Sequence, residues 1–194
     1  MTREERSHDA ISRLGTTRRN FLATGVFLAA ATLFPVNAGA SLSKVFSAER
    51  TLHFYNIHTG EEVRAVYWSR GAYVRQGLSE INYVLRDYRT GEVKKIDKGL
   101  FNLLFSLHRE LGSAAPFHVI SGYRSEETNS LLRAAGTGVA KHSLHIEGKA
   151  IDIRLPGYEL KTLRHAAVDL RMGGVGYYPS SDFVHLDTGR IRYW

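Results

Sequence analysis

The stretch Lys141-His142-Ser143-Leu144-His145-Ile146-Glu147-Gly148-Lys149-Ala150-Ile151-Asp152-Ile153 carries the densest information in the chain. Its second half alternates with a period of two, the period of a strand. Ile151, Ile153 and Leu155 then face a core, while Ala150, Asp152 and Arg154 face the other way. Asp152 is thus a carboxylate fixed on a rigid strand. His145 lies seven residues upstream, across a turn that Gly148 permits, so its imidazole can be brought beside that carboxylate. A second run, Asp182-Phe183-Val184-His185-Leu186-Asp187, has the same parity: Val184 and Leu186 read as core, with Phe183, His185 and Asp187 on the opposite face. Two imidazoles and one carboxylate on neighbouring strands form a three-ligand set with an open fourth position, the coordination of catalytic zinc. Nine histidines in one chain also produce such pairs by chance, so the residues alone leave a purely structural reading open.

Outward from these two runs the chain reads as an α+β domain with helices and strands mixed. Thr51–His58 and Glu62–Trp68 flank Thr59-Gly60-Glu61 as a hairpin. Leu78, Ile81 and Leu85 predict a short helix over 78–88. Asp97 is placed to cap a stronger helix whose stripe is Leu100, Leu103, Leu104, Leu107 and Leu111, closed by Gly112. Phe117–Ser121 reads as a strand, and Ser125 caps a helix running to about Ala135. Residues 137–143 read as loop, 150–155 as strand, 158–171 as helix, and 176–178 and 183–186 as closing strands.

The first forty residues are set apart. Arg13, Arg18 and Arg19 precede the apolar run Phe21–Val36, and Ala38-Gly39-Ala40 makes a small-x-small cleavage site. These are the parts of a secretory signal, and the Arg18-Arg19 pair resembles a twin-arginine export signal. The apolar run is shorter than the ~20 residues of a spanning helix, so no stable membrane insertion is expected once the signal is removed. The expected division is therefore a signal at 1–40 and one domain at 41–194, exported and periplasmic. The chain has a formal net charge of +7 and no cysteine. That excludes disulfides and thiolate metal sites, and leaves His, Asp and Glu as metal ligands. The basic balance fits an anionic partner. Nucleic acid is not expected, because no basic-aromatic cluster accompanies the export signal.

The string Ser143-x-His145-x-x-Gly148-x-Ala150-x-Asp152, with His185 about thirty residues on, resembles the D-Ala-D-Ala metallopeptidase and hedgehog-type zinc peptidase group. The stretches VLRDYRTGEV, VISGYRS and GGVGYYPSSDFVHLDTG make the chain similar to its murein endopeptidase K-like family, over essentially all of residues 41–194. The resemblance implies a central antiparallel sheet flanked by helices. It implies one zinc ion on His145, Asp152 and His185, and hydrolysis of amide cross-links between peptidoglycan stem peptides. It also implies that Arg124 stabilises the developing oxyanion or binds a substrate carboxylate.

Relatives carry an acidic residue three positions before the last His ligand, in a Glu-x-Trp-His pattern. Asp182 fills that place as the expected catalytic base, although Val184 stands where Trp is usual. Asp187 is its rival, with the alternative role of orienting a ligand imidazole. Ser143 either supports the loop or contacts substrate, and His142 reads as a solvated loop residue. His53, His58, His108, His118 and His165 have no partner at ligand spacing. Tyr177 and Tyr178 read equally as cleft wall or packing. Two further readings stay open at this point: a D,D- or L,D-carboxypeptidase that trims stems, and a catalytically silent zinc-containing cell-wall binding module. Oligomeric state is not legible.

Overall fold

A computed structural model describes residues 49–136 and 139–194. The expected signal at 1–40 and the lead that follows it to residue 48 lie outside the described residues, as do loop residues 137 and 138. Four helices and eight strands are described: β1 Arg50–Asn56, β2 Glu62–Ser69, β3 Ala72–Tyr73, α1 Arg75–Val84, α2 Lys98–Leu111, β4 Phe117–Ser121, α3 Glu126–Ala134, β5 Ala150–Arg154, α4 Leu160–Leu170, β6 Gly174–Tyr178, β7 Phe183–Asp187 and β8 Arg192–Tyr193. A 3-10 turn at Pro179–Ser181 separates β6 from β7. No helix among the described residues is long and apolar enough to cross a membrane.

The strands form one sheet in the order β3-β2-β1-β4-β5-β7-β6-β8. The expected α+β class and helix-flanked sheet hold. The sheet is mixed, however, because β1 meets β4 and β6 meets β8 in parallel. Connectivity accounts for the first of these seams. One edge of β1 is taken by its hairpin partner β2, and the chain passes through α1 and α2 before β4 takes the other edge. Only a crossover of that length can deliver a parallel neighbour.

Local chemistry sets the elements. The β1–β2 turn is organised by buried Asn56, whose side-chain oxygen accepts from the backbone N–H of His58 and Thr59. The Asp97 side chain accepts from Gly99 N–H at the head of α2, and Gly112 closes that helix in the left-handed region at φ 60°. Ser125 Oγ accepts from Thr128 N–H at 3.1 Å and starts α3. The leucine stripe of α2 packs into the core with Leu52, Phe54, Phe117, Ile151, Ile153, Val184 and Leu186, all at most 2% exposed apart from half-buried Leu111. The opposite face of β5 and β7 carries Asp152, Arg154, His185 and Asp187, with Ala150 and Phe183 at its ends.

The first helix departs from the expected 78–88 by starting at Arg75 and ending at Val84. Its exit is dictated from outside: Tyr123 N–H claims the Leu85 carbonyl at 2.8 Å, and the Asp87 carboxylate is bonded to Ser125. The two-residue strands β3 and β8 were not anticipated, since two residues carry no readable period.

One core residue stores a pH response. His108 on α2 is buried and stacks on Phe117 with ring centroids 3.9 Å apart and planes 6° from parallel. Its Nε2 is buried without a partner. Burial pushes its pKa down to about 4, against the opposing effect of a hydrogen bond that the ring donates to the Ala115 backbone. The unfolded chain, with His near 6.5, binds the proton more readily, so this neutral imidazole stabilises the fold above pH 6.5 and that stability is lost as pH falls toward 4. His108→Phe preserves the stack and removes the titration. In denaturant unfolding between pH 6.5 and 4, the wild type is expected to lose about 2 kcal/mol more than the variant.

Candidate active site

The centre of the site is a cross-strand pair. β5 and β7 run antiparallel with Asp152 directly opposite His185. Their side chains meet with His185 Nδ1 2.8 Å from Asp152 Oδ1. His145 joins from a tight turn, in which Ile146 N–H donates to Ser143 O and Gly148 N–H to His145 O. Gly148 has φ 67°, and a Cβ there would lie 2.8 Å from the Lys95 carbonyl oxygen, so both conformation and space require glycine. The His145 Nε2 atom ends 3.2 Å from His185 Nδ1 and 3.3 Å from Asp152 Oδ1. One donor atom from each of the three residues lies within 4.8 Å of the others.

The outer nitrogens are also committed. His145 Nδ1–H donates to the Gly122 carbonyl at 2.7 Å, leaving the Nε2 lone pair for the centre. His185 Nε2–H donates to Asp187 Oδ2 at 3.1 Å, leaving Nδ1. Asp187 is fully buried and fully used: Arg192 binds both its oxygens at 3.0 and 2.7 Å, and Gly174 and Gly189 donate backbone N–H to Oδ1. Burial opposes its charge, yet the bonds from His185 and Arg192 hold its carboxyl well below the usual range. Asp152 follows the same logic: burial opposes ionisation, and His145 and His185 outweigh it. For His185 burial disfavours the cation, but Asp152 and Asp187 on either side raise its pKa to about 8. Once His185 gives up its Nδ1 proton, two inward lone pairs and an ionised carboxylate, each oriented by an outer partner, fit a tetrahedral divalent cation of the zinc type.

A cleft of about 660 Å³ opens over this centre. Ser143 lines it and its Oγ accepts from His145 N–H at 3.3 Å, so it supports the loop and faces the cleft together. Arg124 also lines it, with Nη2 3.3 Å from Ser121 Oγ and 3.7 Å from Asp152 Oδ2. His142 lines it from an exposed position.

Asp182 is not brought to the centre. Its side chain is 64% exposed and accepts from Arg154 at 2.9 Å, at a residue with φ 51° just past the 3-10 turn. Asp187 is the acidic residue that touches a ligand imidazole.

The sequence reading did not single out several further cleft residues. Trp194 lies beside His185 at 5.4 Å between ring centroids, donates Nε1–H to Tyr178 OH at 2.8 Å, and carries the Arg192 guanidinium 4.8 Å from its ring centroid. His58 and Tyr88 stack at 3.9 Å on another wall, beside Arg89. His58 and Trp194 have no periodic or motif signal, and Tyr88 and Arg89 lie in the stretch 84–93 that carries the resemblance, which assigns neither a role. Arg192 alone could have been suspected, as a cation needed by a buried Asp187.

Residues 44–194 match the family model described as peptidoglycan L,D-endopeptidase MepK. The chain is 43% identical over 184 residues to the peptidoglycan L,D-endopeptidase MepK of Escherichia coli strain K12, covering 95% of this chain and 100% of that protein. The Shigella flexneri protein of the same name gives the same figures. A Haemophilus influenzae protein named as a probable peptidoglycan L,D-endopeptidase MepK is 39% identical over 178 residues, covering 91% and 95%.

Removing the outer partner of His185 tests the orientation argument. Asp187→Asn is expected to weaken zinc binding about 10- to 100-fold in competition with a chromophoric chelator. An unchanged affinity would show that His185 needs no such partner.

Proposed function

Since the chain belongs to the peptidoglycan L,D-endopeptidase MepK family, we propose that it hydrolyses amide cross-links between peptidoglycan stem peptides with one zinc ion on His145, Asp152 and His185. It is a hydrolase of the metallopeptidase kind and acts on peptidoglycan. The observation that carries the zinc reading is the donor set itself: two imidazole nitrogens and a carboxylate oxygen within 4.8 Å, each imidazole locked by its outer bond. Bound there, zinc supplies Lewis acidity, polarising the amide carbonyl and activating water near neutral pH.

The protein residues do the rest. His145 and His185 present neutral nitrogens only while Gly122 O and Asp187 hold their other N–H groups. Arg124, 8% exposed and beside Asp152, is a fixed cation for the charge that develops on the carbonyl oxygen. Asp182 is the proton acceptor in this reading. Asp187 has no free lone pair for the task, while the Asp182–Arg154 pair is solvent-exposed, and such pairs are worth only about 0–1 kcal/mol, so exchange of partner costs little. Ser143 holds the His145 turn and borders the substrate. Residues 1–40 serve as the twin-arginine-type signal that delivers the enzyme to the periplasm.

The test is digestion of intact peptidoglycan by the purified protein, with muropeptides separated and weighed. Cross-linked dimers are expected to become monomers, chelator to stop this, and stoichiometric zinc to restore it. Loss of terminal residues alone would make the protein a carboxypeptidase. Asp182→Asn is expected to lower kcat by about 10²-fold or more with zinc affinity retained; an unchanged kcat would remove Asp182 from the mechanism.

A further inference from the structure

The cleft has a wall that the proposed hydrolysis does not use. The chain leaving α1 builds it, and buried Asp87 ties it to the head of α3. Asp87 Oδ2 accepts from Ser125 N–H at 2.9 Å and from Ser125 Oγ at 2.7 Å, while Oδ1 accepts from Arg89 N–H at 2.9 Å. Burial would raise this carboxyl, but the nearby Thr128 hydroxyl and the bonds from Ser125 prevail and hold it at about 2, so it stays charged at any working pH. Gly122 lets the two segments close: a Cβ there would lie 2.5 Å from the Leu85 carbonyl oxygen. One carboxylate therefore fixes Arg89, whose N–H it holds, relative to Arg124, which immediately precedes Ser125.

The two guanidinium groups differ in what they already hold. Arg89 rests on the Tyr88 ring at 4.3 Å, and Tyr88 stacks on His58, whose Nε2–H donates to Ile120 O at 3.0 Å. Among the described residues no carboxylate pairs with the Arg89 side chain, which is exposed in the cleft. Arg124 is more than nine-tenths buried, its Nε has no partner, and its nearest carboxylate, Asp152 at 3.7 Å, is already shared with two histidines. Arg89 and Arg124 line the same cleft. Of the charged residues lining the cleft, Arg89, Arg124 and Arg192 are cations and Asp152 is the one acid. Arg192 is already neutralised by Asp187 and Arg124 lies beside Asp152, which leaves Arg89 as the cleft cation without a carboxylate, and a guanidinium matches a planar carboxylate.

A cross-link whose amine-side residue bears a carboxylate on the carbon holding the scissile nitrogen supplies such a group, since the acyl-side carboxyl is consumed in the scissile amide. We propose that Arg89, on the wall beside Arg124, is a specificity-determining residue that binds a free carboxylate next to the scissile nitrogen, so that the enzyme selects cross-links bearing that carboxylate over those in which it is amidated. This rests on the hydrolytic reading above.

Two synthetic cross-linked peptides test it, identical except for a carboxylate or a primary carboxamide on the carbon bearing the scissile nitrogen. The wild type is expected to favour the carboxylate by about 10-fold or more in kcat/KM. Arg89→Gln should bring that ratio close to one, and Arg89→Lys should restore part of it. Because Arg89 is exposed, the variants are expected to unfold at the wild-type temperature. Calorimetric binding of the two amine-side products to metal-free protein gives a second readout, with the carboxylate product about 10-fold weaker in Arg89→Gln. Equal turnover and equal binding of both forms by the wild type would overturn the inference, as would an Arg89→Gln variant that keeps the preference. If the loaded wild type cleaves neither peptide, the hydrolytic reading fails, while the calorimetry still decides whether Arg89 recognises a carboxylate.

Discussion

The register of β5 against β7 is the constraint on which the site rests. Asp152 lies opposite His185, and the same ladder sets Ile151 against Leu186 and Ile153 against Val184. Those four apolar side chains have no exposed surface, so the core enforces the pairing. A slip of one residue would turn either the ligands or the core to the wrong face. The hydrophobic effect, which has no direction of its own, thereby fixes two polar atoms 2.8 Å apart. The β6 register extends the effect. Gly174 and Gly176 lie opposite Asp187 and His185, and their lack of a side chain leaves room for the Asp187 carboxylate and the Trp194 indole.

Burying that much charge is tolerable only because each group is compensated. Asp187 has five donors and no exposure, and Asp152 stands between two imidazoles and Arg124. A buried carboxylate so surrounded stays ionised and stays put. Saturation also leaves Asp187 no lone pair to take a proton. A general base needs one to spare, and of the two carboxylates the exposed, singly paired Asp182 has it.

Much of this was legible in the sequence, for physical reasons specific to each element. The parity of Ile151, Asp152 and Ile153, and of Val184, His185 and Leu186, was readable because both strands have one face in the core. The Asp97 cap, the leucine stripe and Gly112 were readable because a helix end needs a donor satisfied and a left-handed residue. The end of α1 was not, since Tyr123 and Ser125, some forty residues away in the chain, claim the groups that end it. The partner of Asp182 was hidden likewise: Arg154 is 28 residues upstream, and only the β5–β7 pairing brings them together. The cleft walls at His58, at Tyr88 and Arg89, and at Trp194 come from three separate segments without a shared pattern.

The two histidines offer different atoms to the centre, and the fold explains why. His185 rises from a strand beside Asp152, so the nitrogen nearer its backbone, Nδ1, already reaches the carboxylate, and Nε2 is left to point at Asp187 two residues along the same face. His145 comes from a turn, so it must extend its far nitrogen, Nε2, into the centre, and its near nitrogen falls against the Gly122 carbonyl. That carbonyl is in place because Gly122 packs onto Leu85 without a Cβ, the same contact that draws the Tyr88–Arg89 wall against Arg124. One close approach of backbone to backbone thus serves both the orientation of a ligand imidazole and the shape of the cleft beside it.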